Sequence, residues 1–84
     1  MNKDEDRNCF YVSDLPLVAT LVFLGFQFLE LDASNPARSV FKFPANKEID
    51  NAVTSYWQGK LFVEPKSFCN IQRELKARLR SMQK

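Results

Sequence analysis

The 84-residue chain predicts a single α+β domain: a four-stranded antiparallel sheet in the order β-α-β-β-α-β, followed by an additional C-terminal helix. Three observations predict it. Short runs rich in aromatic and β-branched residues alternate with stretches of helical periodicity. The only two glycines, Gly25 and Gly59, each follow a helical stretch, where a left-handed residue commonly ends it. At 45% hydrophobic and 13% aromatic, the chain can build one core, yet it is too short for two.

The elements follow in order. Residues 1–7 read as a flexible acidic tail, with the domain spanning residues 8–84. Cys9-Phe10-Tyr11-Val12 has the character of a first strand. Ser13 and Asp14 are both N-cap residue types, and Pro16 suits a first turn, so a helix is expected from Asp14 to Leu24 with Gly25 as its stop. Phe26 to Asp32 predicts a second strand, and Ser39 to Phe43 a third, joined as a hairpin through turn-forming residues 33–37. Asn46 is the expected cap of a second helix whose apolar face holds Ile49, Ala52, Val53, Tyr56 and Trp57, ended by Gly59. Leu61-Phe62-Val63 predicts a fourth strand, and Pro65 opens a last helix reaching about Met82. This order is the split βαβ, or ferredoxin-like, arrangement, with both crossover helices on one face of the sheet.

Composition narrows the chemistry. The chain has no His, so a histidine base, a Ser-His-Asp triad and imidazole metal ligands are excluded. Two cysteines sixty positions apart, Cys9 and Cys69, form neither a CxxC pair nor a four-ligand zinc set, and they read as thiols of a reducing cytoplasm. The uncharged run from Leu15 to Leu29 is fifteen residues, short of the roughly 20 needed to span a bilayer. The residues before it are net acidic, unlike a secretory leader. Glu30 and Asp32 share a strand face, but with Asp14 they make only a scattered carboxylate set, and solubility and capping are their ordinary roles. No catalytic residue, cofactor, metal, membrane contact or small-molecule substrate is expected.

Two resemblances appear. Phe10-Tyr11-Val12-Ser13-Asp14-Leu15-Pro16, with the stretch from Phe41 to Pro65, resembles the first strand and the third-strand-to-fourth-strand region of RNA-recognition-motif domains. That family stacks single-stranded RNA on exposed sheet aromatics. Aligning Phe43 with the family's inward-facing aromatic turns Phe41 inward as well, leaving Tyr11, Val40 and Arg38 as the outward positions. The second pattern covers nearly the whole chain: Phe10-Tyr11, Ser13-Asp14-Leu15, Leu17, Gly25-Phe26, Tyr56-Trp57 with Gly59, then Val63, Pro65 and Phe68 before a basic helix. It resembles a family of small bacterial and phage proteins of unknown function, which implies a stand-alone domain and no particular activity.

Charge and apolar surface suggest where binding would occur. Residues 1–32 hold two basic and six acidic side chains, net −4, while the remainder holds ten basic and four acidic, net +6. On the last helix Phe68, Ile71, Leu75, Leu79 and Met82 fall within an arc of about 80°, and Lys66, Arg73, Lys76, Arg80 and Lys84 within another of about 80°. That basic flank favours the helix dipole and solvation, and it also suits phosphates or an acidic protein patch. The first helix has two apolar faces, Leu15/Val18/Ala19/Val22 and Leu17/Leu21/Leu24, where a two-layer domain buries one. The second face is covered either by the final helix or by another chain. Tyr56 and Trp57 are anchor residue types for an interface, and equally suit partial burial in the core. The resulting expectation is a cytoplasmic, non-enzymatic interaction module, homo-oligomeric or bound to a protein partner through Leu17, Leu21, Leu24, Tyr56 and Trp57. The alternative is a nucleic-acid binder using Tyr11, Arg38, Lys66, Arg73, Lys76, Arg80 and Lys84.

Overall fold

The computed structural model describes residues 9–35 and 38–82. The expected acidic tail, Lys84 and the turn residues Pro36 and Ala37 lie outside them. Six elements follow one another: β1 (Cys9–Val12), α1 (Leu15–Phe23), β2 (Glu30–Asp32), β3 (Val40–Pro44), α2 (Lys47–Trp57) and α3 (Pro65–Met82). The fold is α+β, with a three-stranded antiparallel sheet in the order β1-β3-β2. Register runs from Cys9 opposite Pro44 to Val12 opposite Phe41 on one side of β3, and from Glu30 opposite Lys42 to Asp32 opposite Val40 on the other.

Both glycines end helices as their positions suggest. Gly25 sits at φ +103° and Gly59 at φ +71°. Phe26 N–H donates to the Leu21 carbonyl and Gly25 N–H to that of Val22, each at 3.0 Å. Lys60 N–H to Ser55 and Gly59 N–H to Tyr56 repeat the arrangement at the end of α2, again at 3.0 Å. These paired bonds satisfy carbonyls that a helix end would otherwise leave open. At the other ends, the Asn46 Oδ1 accepts from Ile49 N–H at 2.9 Å, while the Glu64 carboxylate accepts from Lys66 N–H at 3.0 Å and Ser67 N–H at 2.7 Å. Asp14 occupies the N-cap position of α1 through its backbone alone, without a side-chain capping bond.

The expected fourth strand does not form: Leu61-Phe62-Val63 joins no ladder, and the Phe62 side chain is 89% exposed. The flanking caps fix both ends of the segment, and between them it lies alongside no strand of the described sheet. Lys60 N–H closes α2 and Glu64 opens α3, leaving three residues between them, about 10 Å of strand at ~3.3 Å per residue. The four-stranded ferredoxin-like sheet is therefore corrected to three strands among the described residues. β2 is also shorter than expected. Phe26 is committed to closing α1, and Phe28 turns inward, its ring edge-on to Phe41 at 5.1 Å and Phe43 at 6.2 Å.

One core joins the layers. Val12, Phe41 and Phe43 from the sheet are buried with Leu17, Val18, Ala19 and Leu21 of α1, Ile49 of α2 and Leu75 of α3. Each of these side chains larger than alanine contributes about 1.5–3 kcal/mol. α1 is the hub, touching β1, α2 and α3. Its two apolar faces meet different neighbours: Leu17 borders Val12 and Val53, while Val22 shares a cavity wall with Ile71 and Leu75. A helix apolar all round is a buried helix, and here its own chain covers it. Among the described residues no helix is long and apolar enough to cross a membrane.

Candidate functional site

The alternation along β1 sorts its side chains. Val12 is buried and Phe10 half-buried, stacked on Phe43 at 5.9 Å, whereas Tyr11 points the other way and is 56% exposed. Beside β1 the C-terminal half of α2 presents Val53 and Trp57. Trp57 stands at the rim of its helix's apolar stripe, edge-on to Tyr56 at 5.0 Å, and remains 65% exposed. Between the strand and the helix lies an open groove of about 460 Å³, lined by Phe10, Tyr11, Val12, Leu17, Val53 and Trp57. Its polar contributions are Ser13, Asp14 and Arg38, and the Arg38 Nε–H donates to the Ser13 Oγ at 3.0 Å. Burial raises the Tyr56 phenol above its ordinary pKa, and the nearby Asp14 carboxylate adds to the shift. The groove is thus apolar along its walls, with one cation and one anion among its lining residues.

The solvent face of the sheet is different in kind. Tyr11, Lys42 and Glu30 stand in one cross-strand row, with Asp32 and Val40 in the next. Lys42 Nζ lies 4.0 Å from Glu30 Oε1. Phe41 and Phe43 are both in the core, so among the described residues lining this face there are one aromatic ring, the Lys42 ammonium and two carboxylates. The carboxylates outnumber the cation, which disfavours an approaching phosphodiester. The Asp32 carboxyl is held below its usual value by the Ser34 hydroxyl and backbone N–H, at 2.7 and 2.9 Å, which keeps that charge in place.

The remaining candidates separate. Leu17 and Leu21 are buried inside one chain, Leu17 meeting the outside only as part of the groove's lining, while Leu24 is 40% exposed past the end of α1. On α3 the described cations Lys66, Arg73, Lys76 and Arg80 are all exposed, with Arg73 Nη1 donating to Asn70 Oδ1 at 2.9 Å. Lys84 falls outside the described residues. Arg78, apart from that flank, lies over the Phe28 ring at 5.5 Å. Cys9 and Cys69 are free thiols. Among the described residues no cluster of acidic or sulfur side chains is grouped to hold a metal ion.

Sequence reasoning singled out Tyr11 and Arg38 as outward positions of the sheet and Trp57 as an interface anchor, and the structure brings all three to one groove. It missed Ser13 and Val53 as parts of that site. The Ser13–Arg38 bond joins residues 25 positions apart, a contact with no local signature.

Fold and groove together define a small α+β domain built on a three-stranded antiparallel sheet, with an exposed aromatic groove beside its outer strand. A family model described as Domain of unknown function (DUF5659) matches residues 7–81, and the chain belongs to that family. No curated protein and no solved structure matches the chain.

Proposed function

We propose that this protein is a non-enzymatic interaction module of the cytoplasm that works through protein–protein contacts, self-association included. The observation that carries this reading is the groove of about 460 Å³ where Tyr11 and Trp57 expose their rings beside an outer strand. A strand at a sheet edge offers backbone donors and acceptors to an extended segment, and flanking pockets select its alternate side chains. Large aromatic groups beside an arginine are the residue types that dominate binding energy at protein interfaces. The absence of histidine supports the non-enzymatic reading, and two unpaired thiols suit a reducing compartment.

Peptide display tests it. Selection on the wild-type chain should enrich extended sequences with apolar residues at alternate positions, and selection on Trp57→Ala should not. Trp57 is the single tryptophan, so its emission should shift to the blue as a selected peptide fills the groove. If nothing is enriched over the Trp57→Ala control and the protein does not self-associate, the reading is wrong.

A nucleic-acid reading retains one favouring observation, the exposed cations Lys66, Arg73, Lys76 and Arg80 along one flank of α3. Four phosphate contacts on a single strand give a log–log salt slope of roughly −3. Oligonucleotide binding with that slope, lost on reversing two of these charges, would favour it over the protein-contact reading.

A further inference from the structure

A second hollow lies at the other apolar face of α1, between that helix and α3. It measures about 160 Å³, with Val22, Phe28, Ile71 and Leu75 as its apolar wall and the exposed Glu74 and Arg78 completing its lining. An apolar cavity of about 150 Å³ holds one benzene-sized group, so the space suits a single ring or a branched side chain. The two charges are the informative part. Glu74 and Arg78 stand one turn apart, in the order that favours an ion pair along a helix. They do not form one. The Arg78 guanidinium lies over the Phe28 ring at 5.5 Å, and neither charged group has a hydrogen-bonding or ionic partner among the described residues. One unpaired cation and one unpaired anion, with Cβ atoms about 5–6 Å apart as for any such spacing, thus border a single apolar space. Among the described residues no other charged side chain lines it.

We infer that this hollow binds a free α-amino acid with a ring-sized apolar side chain, its carboxylate toward Arg78 and its ammonium toward Glu74. Each alternative leaves a charge in the wrong company. A simple carboxylic acid paired with Arg78 sets its anion near Glu74, and an amine paired with Glu74 sets its cation near Arg78. An uncharged apolar molecule fills the hollow and leaves both charges to water. An α-amino acid carries both charges on neighbouring groups, and its side chain leaves from the carbon between them, so all three are met at once. Arg78 suits the exchange. Its guanidinium has only a ring face to leave, an interaction weaker at an exposed site than a guanidinium–carboxylate pair, and it sheds water readily. The apolar wall is already in place. Leu75 is buried and Phe28 stands edge-on to Phe41 and Phe43, so binding orders little that is loose. The site is separate from the groove beside β1, since Leu17 of α1 borders the groove and Val22 borders this hollow.

Calorimetric titration of the full chain with L-phenylalanine tests it. Binding should be saturable. Phenylalaninamide lacks the carboxylate and N-acetylphenylalanine lacks the ammonium, and each should bind at least roughly tenfold more weakly. This comparison needs no variant. Glu74→Gln and Arg78→Gln should each cause a loss of similar size for the free amino acid. Both side chains are exposed, so neither change empties the core, and the circular dichroism of each unliganded variant should match the wild type. N-acetylphenylalanine binding as well as the free amino acid means that the site reads a carboxylate alone, and overturns the inference. Undiminished binding in both variants places the amino acid elsewhere, and overturns it too. So does the lack of saturable binding up to the solubility limit, a result that leaves the groove beside β1 to be judged by peptide display.

Discussion

Single side chains set where the helices start, and their chemistry makes that placement sensitive to pH. The Asn46 side chain caps α2 through one bond of 2.9 Å to Ile49 N–H. Asn46→Ala should lower the unfolding free energy by about 1 kcal/mol, read from the urea midpoint at unchanged slope. Glu64 does the same for α3 as a carboxylate. The Ser67 hydroxyl, with the Ser67 and Lys66 N–H groups, holds it below its ordinary value of 4.5. Asp32 is held below 3.8 by Ser34. A lowered folded-state value means the ionised form stabilises the fold. That contribution is complete above the unfolded values and disappears as pH falls through the folded ones. Thermal melts from neutral to acid pH should therefore show a declining midpoint, and the decline should be shallower in a Glu64→Gln, Asp32→Asn variant. Tyr56 works at the alkaline end. Its raised value means stability falls as pH climbs past 10.0, and Tyr56→Phe should remove that loss.

At the scale of elements, α1 governs. It is enclosed by β1, α2 and α3, and Leu21 is fully buried at its centre. Leu21→Ala should cost about 2–5 kcal/mol, enough to leave a small domain partly unfolded by calorimetry at ordinary temperature. Much of this was legible beforehand. The helix stops at Gly25 and Gly59, the Asn46 cap, the extent of α3 and the inward phase of Phe41 and Phe43 all follow from local residue chemistry, and the structure has them so. The surplus apolar face of α1 was legible as a demand for cover, but not who meets it. Leu17 faces α2 and β1 while α3 takes the Val22 side, an arrangement that depends on residues more than 35 positions apart. The fourth strand misled because β character is only permission to pair. Whether Leu61-Phe62-Val63 reaches a neighbour depends on where the flanking caps place it and not on its length, since β2 pairs with as few residues. The groove was hidden for the same reason: Tyr11, Arg38 and Trp57 each stood out as candidates, but nothing local says that they meet.

Over the whole molecule, charge is sorted along the sequence, net −4 before residue 33 and net +6 after it. If copies associate as proposed above, and charge of opposite sign draws them together, the association should weaken as salt is raised, because the Debye length shrinks from about 10 Å at 0.1 M to about 3 Å at 1 M. Sedimentation equilibrium across that range checks it, and a salt-independent constant would assign the contact to apolar surface alone. The molecule is also a thin slab, 39 × 35 × 19 Å, with few interior side chains to spare. Every layer it has rests on α1, and the outermost cover, α3, is the last part of the domain to leave a ribosome. A nascent chain paused near Gly59 would hold out an uncapped oily rod, with Val22 bare to whatever passes. Messages truncated there should yield aggregates or degradation instead of a shorter working domain.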